Sequence, residues 1–317
     1  MSIKVLGTGA YVPEKIVTND DLAQMVDTSD EWITQRVGVK ERRVSVTETA
    51  ADFAVQAAKR AMENAKVSAD EIDLIIAATI TPETMCPTVA GIVQKEIGAT
   101  CPAFDVNSAC SGFLFALDNA VSYLVRGGIR NILVIGAERL SKIMDWSDRS
   151  TCVIFGDGAG AFVVTAGDGY LSSRLYTSGG NDVIEIPAFT GGSPFFKGEV
   201  KDPYIFMAGQ ETFKFAVNRI VEDIKYVAEK AGITLDQIDH VVPHQANIRI
   251  IEYASKRLKM PMEKFFVNID KYGNTSSASI PIAAAELDAS GKLKRGDIVV
   301  MSAFGGGLSS ATCLMRW

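Results

Sequence analysis

Glu63-Asn-Ala-Lys-Val-Ser-Ala-Asp-Glu-Ile-Asp-Leu-Ile-Ile-Ala-Ala-Thr79 and Glu229-Lys-Ala-Gly-Ile-Thr-Leu-Asp-Gln-Ile-Asp-His-Val-Val-Pro-His-Gln245 are two versions of one unit. Each ends a helical pattern, turns through polar residues and runs into a short apolar stretch of strand character. Glu, Ala, Asp, Ile and Asp coincide at matching positions. Further along, Asn131-Ile-Leu-Val-Ile135 falls on Asp297-Ile-Val-Val-Met301 at the same spacing, since Ile72 matches Ile238 and Ile132 matches Ile298. Two separate segments in one register indicate a duplicated unit.

Outward from these segments, apolar runs at 73–78, 132–135, 241–242 and 298–301 predict strands. Residues 52–64 and 213–230 carry apolar side chains at helical spacing. Alternating strands and helices predict an α/β layered fold, here of two similar halves, 1–165 and 166–317. The spacing that relates the halves carries Cys110 onto Ser276. It predicts that Asn107-Ser-Ala-Cys-Ser-Gly112 and Asn274-Thr-Ser-Ser-Ala-Ser279 are matching turns that face each other between them.

A chain of 317 residues, 47% hydrophobic and 22% charged, can bury a core of this size. Its net charge of −6 gives no general electrostatic basis for binding nucleic acid. No apolar run approaches the roughly 18 residues of a membrane span, and the first residues lack the pattern of a signal peptide. The five cysteines, Cys86, Cys101, Cys110, Cys152 and Cys313, include no CxxC pair, which suits free thiols in a reducing cytoplasm. Only two histidines occur, His240 and His244, and no cluster has the spacing of a metal site.

Among the cysteines, Cys110 alone follows a predicted strand (102–106) and precedes an apolar helix (111–125). A thiol at such a helix start is expected to have a lowered pKa, and the free amides there suit an oxyanion. Cys152 and Cys313 read as strand residues. His244 stands where a strand ends, the usual place for chemistry in an open α/β sheet; His240, ahead of the apolar pair, is expected to face solvent or a neighbouring strand. Asn274 offers an amide that donates without titrating, and Phe304-Gly-Gly-Gly307 exposes backbone amides. Gly156-Asp-Gly-Ala-Gly160 and Gly7-Thr-Gly9 both lack the glycines of a dinucleotide fingerprint.

Asn107-Ser-Ala-Cys-Ser-Gly112, His244-Gln-Ala-Asn-Ile-Arg249, Gly273-Asn-Thr-Ser276 and Phe304-Gly-Gly-Gly307 resemble the motifs of the β-ketoacyl-acyl carrier protein synthases III. The likeness runs from Gly7-Thr-Gly-Ala-Tyr-Val-Pro13 to the C-terminus. It implies a thiolase-like αβαβα fold, a homodimer and a triad of Cys110, His244 and Asn274. The implied substrates are an acyl-coenzyme A, typically acetyl, and malonyl-acyl carrier protein, with no cofactor, metal, nucleic acid or membrane.

The same resemblance implies an oxyanion hole of the Cys110 and Gly306 amides. It implies coenzyme A contacts at Trp32, Arg36 and Arg149, with Gly209, Phe213 and Asn247 lining the pantetheine path. Thr28-Ser-Asp-Glu31 reads as a capping box that sets Trp32 and Arg36 one turn apart on a helix. Lys214, Arg249, Lys256 and Arg257 would form a basic dock for the acidic carrier protein. Cys86 is expected to reach the partner subunit's acyl pocket, with Phe304 in the same region. Being small, it would leave room for longer or branched primers. A ketoacyl synthase of secondary metabolism and a cysteine-dependent thioester hydrolase remain alternatives. A thiolase is disfavoured because the glycine turn carries no second cysteine.

Overall fold

The computed structural model describes residues 2–188 and 193–317. Nine strands form two sheets built to one plan. The first contains β1 (Ser2–Tyr11), β2 (Leu74–Ala78), β3 (Ala103–Val106), β4 (Asn131–Glu138) and β5 (Gly158–Gly167), in the order β1-β5-β4-β2-β3. The second contains β6 (Tyr170–Thr177), β7 (His240–Pro243), β8 (Ile298–Gly305) and β9 (Ser309–Arg316), in the order β6-β9-β8-β7. Strand senses match pair by pair: β2–β4 and β7–β8 are parallel, while β5 and β9 run antiparallel to both neighbours. A parallel bridge from Val241 to Phe265 stands where β2 pairs with β3.

Alternation along the central strands sends neighbouring side chains to different cores. Ile75, Leu133 and Ile135 pack outward against Phe53, Ala57 and Ala61 of α2 (Ala50–Ala65) and Val93 of α3 (Val89–Ile97). Ile76 and Val134 point inward instead, to Phe113 and Leu117 of α4 (Gly112–Arg126) and Ile280 and Ala284 of α8 (Ser279–Ala289). From the second sheet, Val242 and Met301 join that inner core. Its outer face, with Val241, Val300 and Leu314, meets Ile220 and Ile224 of α6 (Gly209–Lys230) and Ile251 of α7 (Ile248–Leu258). The result is five layers, α–β–α–β–α, in two similar halves as the repeat predicted and with the layering that the resemblance implied. Helix α4 lies in the middle layer, although Asn119, Ser122 and Val125 face outward.

The repeat slips by one residue after β7. Leu74 pairs with Ile132 in the first sheet, but His240 pairs with Val299 in the second. Helix α4 begins at Gly112 and α8 at Ser279, and single 3₁₀ turns, Ala109–Ser111 and Ser276–Ala278, precede them. The counterpart of Cys110 is therefore Ser277, not Ser276. Cys152 also departs from expectation, ending the short helix α5 (Arg149–Cys152) in place of a strand. Cys313 does lie in a strand, β9.

Each 3₁₀ turn presses against the other half's strand. A Cβ on Gly305 of β8 would come 2.8 Å from the Cys110 Cβ, and one on Gly136 of β4 would come 2.4 Å from the Ser277 carbonyl oxygen. The glycines of the rejected fingerprints also serve packing: a Cβ on Gly9 would lie 2.3 Å from the Ala61 amide nitrogen, and one on Gly160 would lie 2.6 Å from that of Ile282. Neither clash can be relieved by turning a side chain, because the obstructing atoms are backbone.

Gly136→Ala should therefore lower stability by about 1–3 kcal/mol, the usual range for core overpacking. The urea midpoint reads this directly, and an unchanged midpoint would mean the halves are not locked there.

Candidate active site

The two turns use the same local device. Asn107 Oδ1 accepts the Ala109 N–H at 3.2 Å, and Asn274 Oδ1 accepts the Ser276 N–H at 2.8 Å. Ala109 (φ 45°) and Ser276 (φ 50°) are left-handed, a region that is costly for residues bearing a Cβ. Side-chain-to-backbone bonds of this kind make such a bend affordable in small residues. They present Cys110 at one tip and turn Asn274 so that its NH₂, the donor end, is not the atom held by the backbone.

A cavity of about 230 Å³ lies where the turns meet, and Cys110, His244, Asn274, Phe304 and Gly306 all line it. Its other walls include Gly209, Phe213, Asn247 and Ile184. The sequence thus identified three polar groups from distant parts of the chain that share one enclosure. Gly306 passes close to the Cys110 turn, since a Cβ there would sit 3.4 Å from the Ala109 Cβ.

His244 follows β7 directly, and its N–H donates to the Ser302 carbonyl at 2.8 Å. Its ring meets Phe304 edge-on, with centroids 5.3 Å apart. Burial without an anion beside it pushes the imidazole down to about 3, and Nδ1 is buried with no hydrogen-bond partner. His244 is thus a neutral donor at physiological pH. His240 lies on the same strand but bonds Asp297 at 3.2 Å, away from the cavity.

Cys110 departs from expectation. Enclosure by protein pushes its thiol up to about 11, and the nearby Glu138 carboxyl adds to this, whereas the Ser276 hydroxyl beside the sulfur opposes it. The helix start behind the thiol does not outweigh desolvation in the unliganded protein. Sequence reasoning set the Ser276 turn opposite the Cys110 turn but gave Ser276 no role, and it missed Glu138 as a neighbour of Cys110. A signal existed for Glu138, a carboxyl closing the otherwise apolar run 132–138.

Trp32, Arg36 and Arg149 come together outside the cavity. Arg149 lies over the Trp32 ring at 5.0 Å and Arg36 at 5.9 Å. The helix carrying Trp32, α1 (Asp30–Arg36), is capped differently from the prediction. Ser29 Oγ accepts the Trp32 N–H at 3.1 Å without a reciprocal bond, and Thr28 Oγ1 is buried with no partner. Asn247 joins the two regions: it caps α7 through the Arg249 N–H at 2.9 Å and donates to the Arg36 carbonyl at 3.0 Å.

Lys214, Arg249, Lys256 and Arg257 are all exposed on α6 and α7. Arg249 lies 5.9 Å over Phe213, which links this basic surface to the cavity wall, and Arg257 lies over Tyr253. Cys86 is exposed and does not line the cavity of its own chain. Among the described residues no group of three or more His, Cys, Asp or Glu could hold a metal ion, and no helix is long and apolar enough to cross a membrane.

Comparison with known proteins shows the family. Family models described as 3-oxoacyl-[acyl-carrier-protein (ACP)] synthase III and its C-terminal part match residues 104–179 and 228–317. The beta-ketoacyl-[acyl-carrier-protein] synthase III of Clostridium acetobutylicum is 49% identical, with 100% of this chain and 99% of that protein aligned. Its counterpart from Aquifex aeolicus has a crystal structure that superposes with a TM-score of 0.92 at 48% identity, covering 99% of this chain and 100% of that one. The Thermus thermophilus beta-ketoacyl-[acyl carrier protein] synthase III superposes at 0.93 with 40% identity, covering 99% and 98%.

With two histidines in the chain, proton NMR can follow His244 cleanly. A folded pKa below the unfolded value near 6.5 means that its neutral form persists as pH falls, and its share of stability is lost only toward acid. The His244 ring resonance should stay fixed from pH 8 to pH 5; a titration near 6.5 would contradict the burial argument.

Proposed function

This chain belongs to the 3-oxoacyl-[acyl-carrier-protein] synthase III family, and we propose that it condenses an acyl group from coenzyme A with malonyl-acyl carrier protein. The reaction is the first condensation of fatty acid synthesis. The observation that carries the assignment of roles is the meeting of Cys110, His244 and Asn274 in one cavity between the halves.

In the first transfer the Cys110 sulfur attacks the thioester carbonyl, coenzyme A leaves, and an acyl-enzyme remains. Splitting the reaction this way replaces one difficult step by two easier ones. In the second, malonyl-acyl carrier protein loses carbon dioxide and its electron pair forms an enolate. Negative charge develops on one oxygen, and donors fixed beforehand in a dry cavity stabilise it best. A neutral imidazole and an amide NH₂ meet that need without a proton transfer. The enolate carbon then attacks the acyl-enzyme carbonyl, the carbon–sulfur bond breaks, and the 3-ketoacyl-acyl carrier protein departs. Amides of Cys110 and Gly306 would hold the oxyanion of each tetrahedral intermediate.

Trp32 beside two guanidinium groups offers an aromatic surface and positive charge, which suits the adenine and phosphates of coenzyme A. The apolar cavity with Gly209, Phe213 and Asn247 suits the pantetheine arm. Lys214, Arg249, Lys256 and Arg257 present the charge that would steer an acidic carrier protein. We place the enzyme in the cytoplasm as a homodimer, with Cys86 reaching the partner's acyl pocket. A thioester hydrolase with the same triad would release free acid and form no carbon–carbon bond, so product analysis separates the two readings.

Cys110→Ala should abolish transfer of labelled acetyl to the protein. His244→Ala and Asn274→Ala should still be acetylated but lose decarboxylation, each by about 10²–10³-fold. Loss of acetylation in either would overturn the division of roles.

The small side chain at Cys86 should permit turnover of isobutyryl- and hexanoyl-coenzyme A alongside acetyl-coenzyme A. Strict acetyl preference in a side-by-side assay would contradict an open pocket.

A further inference from the structure

Beneath the cavity lies a carboxyl that the mechanism above does not use. Glu138 closes β4, is fully buried, and makes no ion pair among the described residues. Five donors from two segments surround it. Oε2 faces the Ile80 N–H at 3.1 Å, the Thr81 hydroxyl at 2.6 Å and the Thr79 hydroxyl at 3.3 Å. Oε1 faces the hydroxyls of Ser277 at 2.7 Å and Ser276 at 3.2 Å. An ionised carboxylate without a cation is costly to bury unless hydrogen bonds surround it. Burial accordingly raises the proton affinity of Glu138, and these donors moderate the rise.

The proton count around Oε1 leaves a place for one more. Ser277 Oγ is also 2.9 Å from the Ala78 carbonyl, which can only accept. When the single Ser277 proton points to Ala78, the short contact to Glu138 is bonded only if the carboxyl itself donates. Ser276 Oγ bonds Glu138 at 3.2 Å, and Ser276 and Cys110 line the same cavity, so the one Ser276 hydroxyl proton can turn toward the carboxyl or toward the sulfur.

From this arrangement we propose that Glu138 is a positioning residue that accepts the Cys110 proton through the Ser276 hydroxyl during acyl transfer. In the resting state the thiol donates to Ser276 Oγ and Ser276 donates to the Glu138 carboxylate. As the sulfur attacks, the thiol proton passes to Ser276 and the Ser276 proton passes to Glu138. The products of that shift are a thiolate accepting from Ser276 and a neutral carboxyl donating to it. When the bond to coenzyme A breaks, the proton returns by the same path to the departing sulfur, so charge and protons balance. The shift moves no net charge into or out of the site, and it answers how a thiol pushed up by burial becomes a nucleophile at neutral pH. His244, held neutral in its own apolar surroundings, is then free to act as a donor only.

This inference rests on Cys110 being the acylated residue. The charged or titratable groups facing Glu138 are Cys110 from the nucleophile turn and Lys142 from the helical turn after β4; Lys142 is itself engaged by Glu83 at 3.4 Å and the Pro82 carbonyl at 2.7 Å. The test is the rate of Cys110 alkylation by iodoacetamide between pH 6 and 9, read from the mass of the Cys110 peptide, in wild type, Glu138→Gln and Ser276→Ala. Alanine fits the left-handed bend, as Ala109 does in the matching turn. Thermal melts confirm that each variant is folded.

A relay predicts that either substitution slows alkylation at pH 7 about tenfold or more. The rate should then climb with hydroxide concentration, and the double variant should be no slower than either single one. A merely structural or electrostatic role for Glu138 predicts the reverse, since removing a negative charge near a thiol favours its thiolate. Equal or faster alkylation in folded Glu138→Gln or Ser276→Ala overturns the relay. Absence of acetyl on Cys110 in the wild-type protein would instead sink the reading of Cys110 on which it depends.

Discussion

The backbone contact between the two 3₁₀ turns and the strands of the opposite halves constrains everything else in this molecule. Gly136 receives the Ser277 turn and Gly305 receives the Cys110 turn, and at both places no side chain beyond hydrogen fits. That closeness fixes the distance between the halves, and so fixes the cavity formed by the two turns and the ends of β7 and β8. Cys110 from one half meets His244 and Asn274 from the other because the turns between the halves interlock. The left-handed residues at Ala109 and Ser276 are strained locally, and the asparagine bonds at each turn hold that strain in place.

The cavity treats its ionisable groups alike: it disfavours charge. The imidazole of His244 is pushed down and the thiol of Cys110 is pushed up, both by burial. For a condensation this is consistent chemistry. Neutral donors suit an enolate, and low local polarity strengthens each such hydrogen bond. The same environment makes a free-standing thiolate expensive, so a nucleophilic Cys110 needs a partner that takes its proton without changing the net charge of the site. A buried carboxyl ringed by hydroxyls is suited to that task where a solvated base is not.

Much of this was legible in the sequence because duplication writes the fold twice. The strands at 73–78 and 241–242, the helix behind Cys110 and the placement of His244 at a strand end follow from periodicity and from the repeat. What escaped had a physical reason in each case. The one-residue slip after β7 is invisible to a comparison of apolar patterns, because Ile and Val at adjacent positions of β8 satisfy either register. The Cys110 pKa could not be read from a helix start alone, since desolvation depends on what encloses the sulfur. Cys152 looked like a strand residue from its apolar neighbours, but Asp148 caps a helical turn there through the Ser150 amide. Glu138 was passed over because a single carboxyl at a strand end says nothing of the five donors that gather around it.

Peptide mass mapping after incubation with acetyl-coenzyme A alone tests the central claim most directly, since it asks which side chain the fold has made a nucleophile. The account predicts one acetyl group, carried by the peptide containing Cys110, with Cys86, Cys101, Cys152 and Cys313 unmodified. Acetyl on any of those four, or on none of the five, would contradict it.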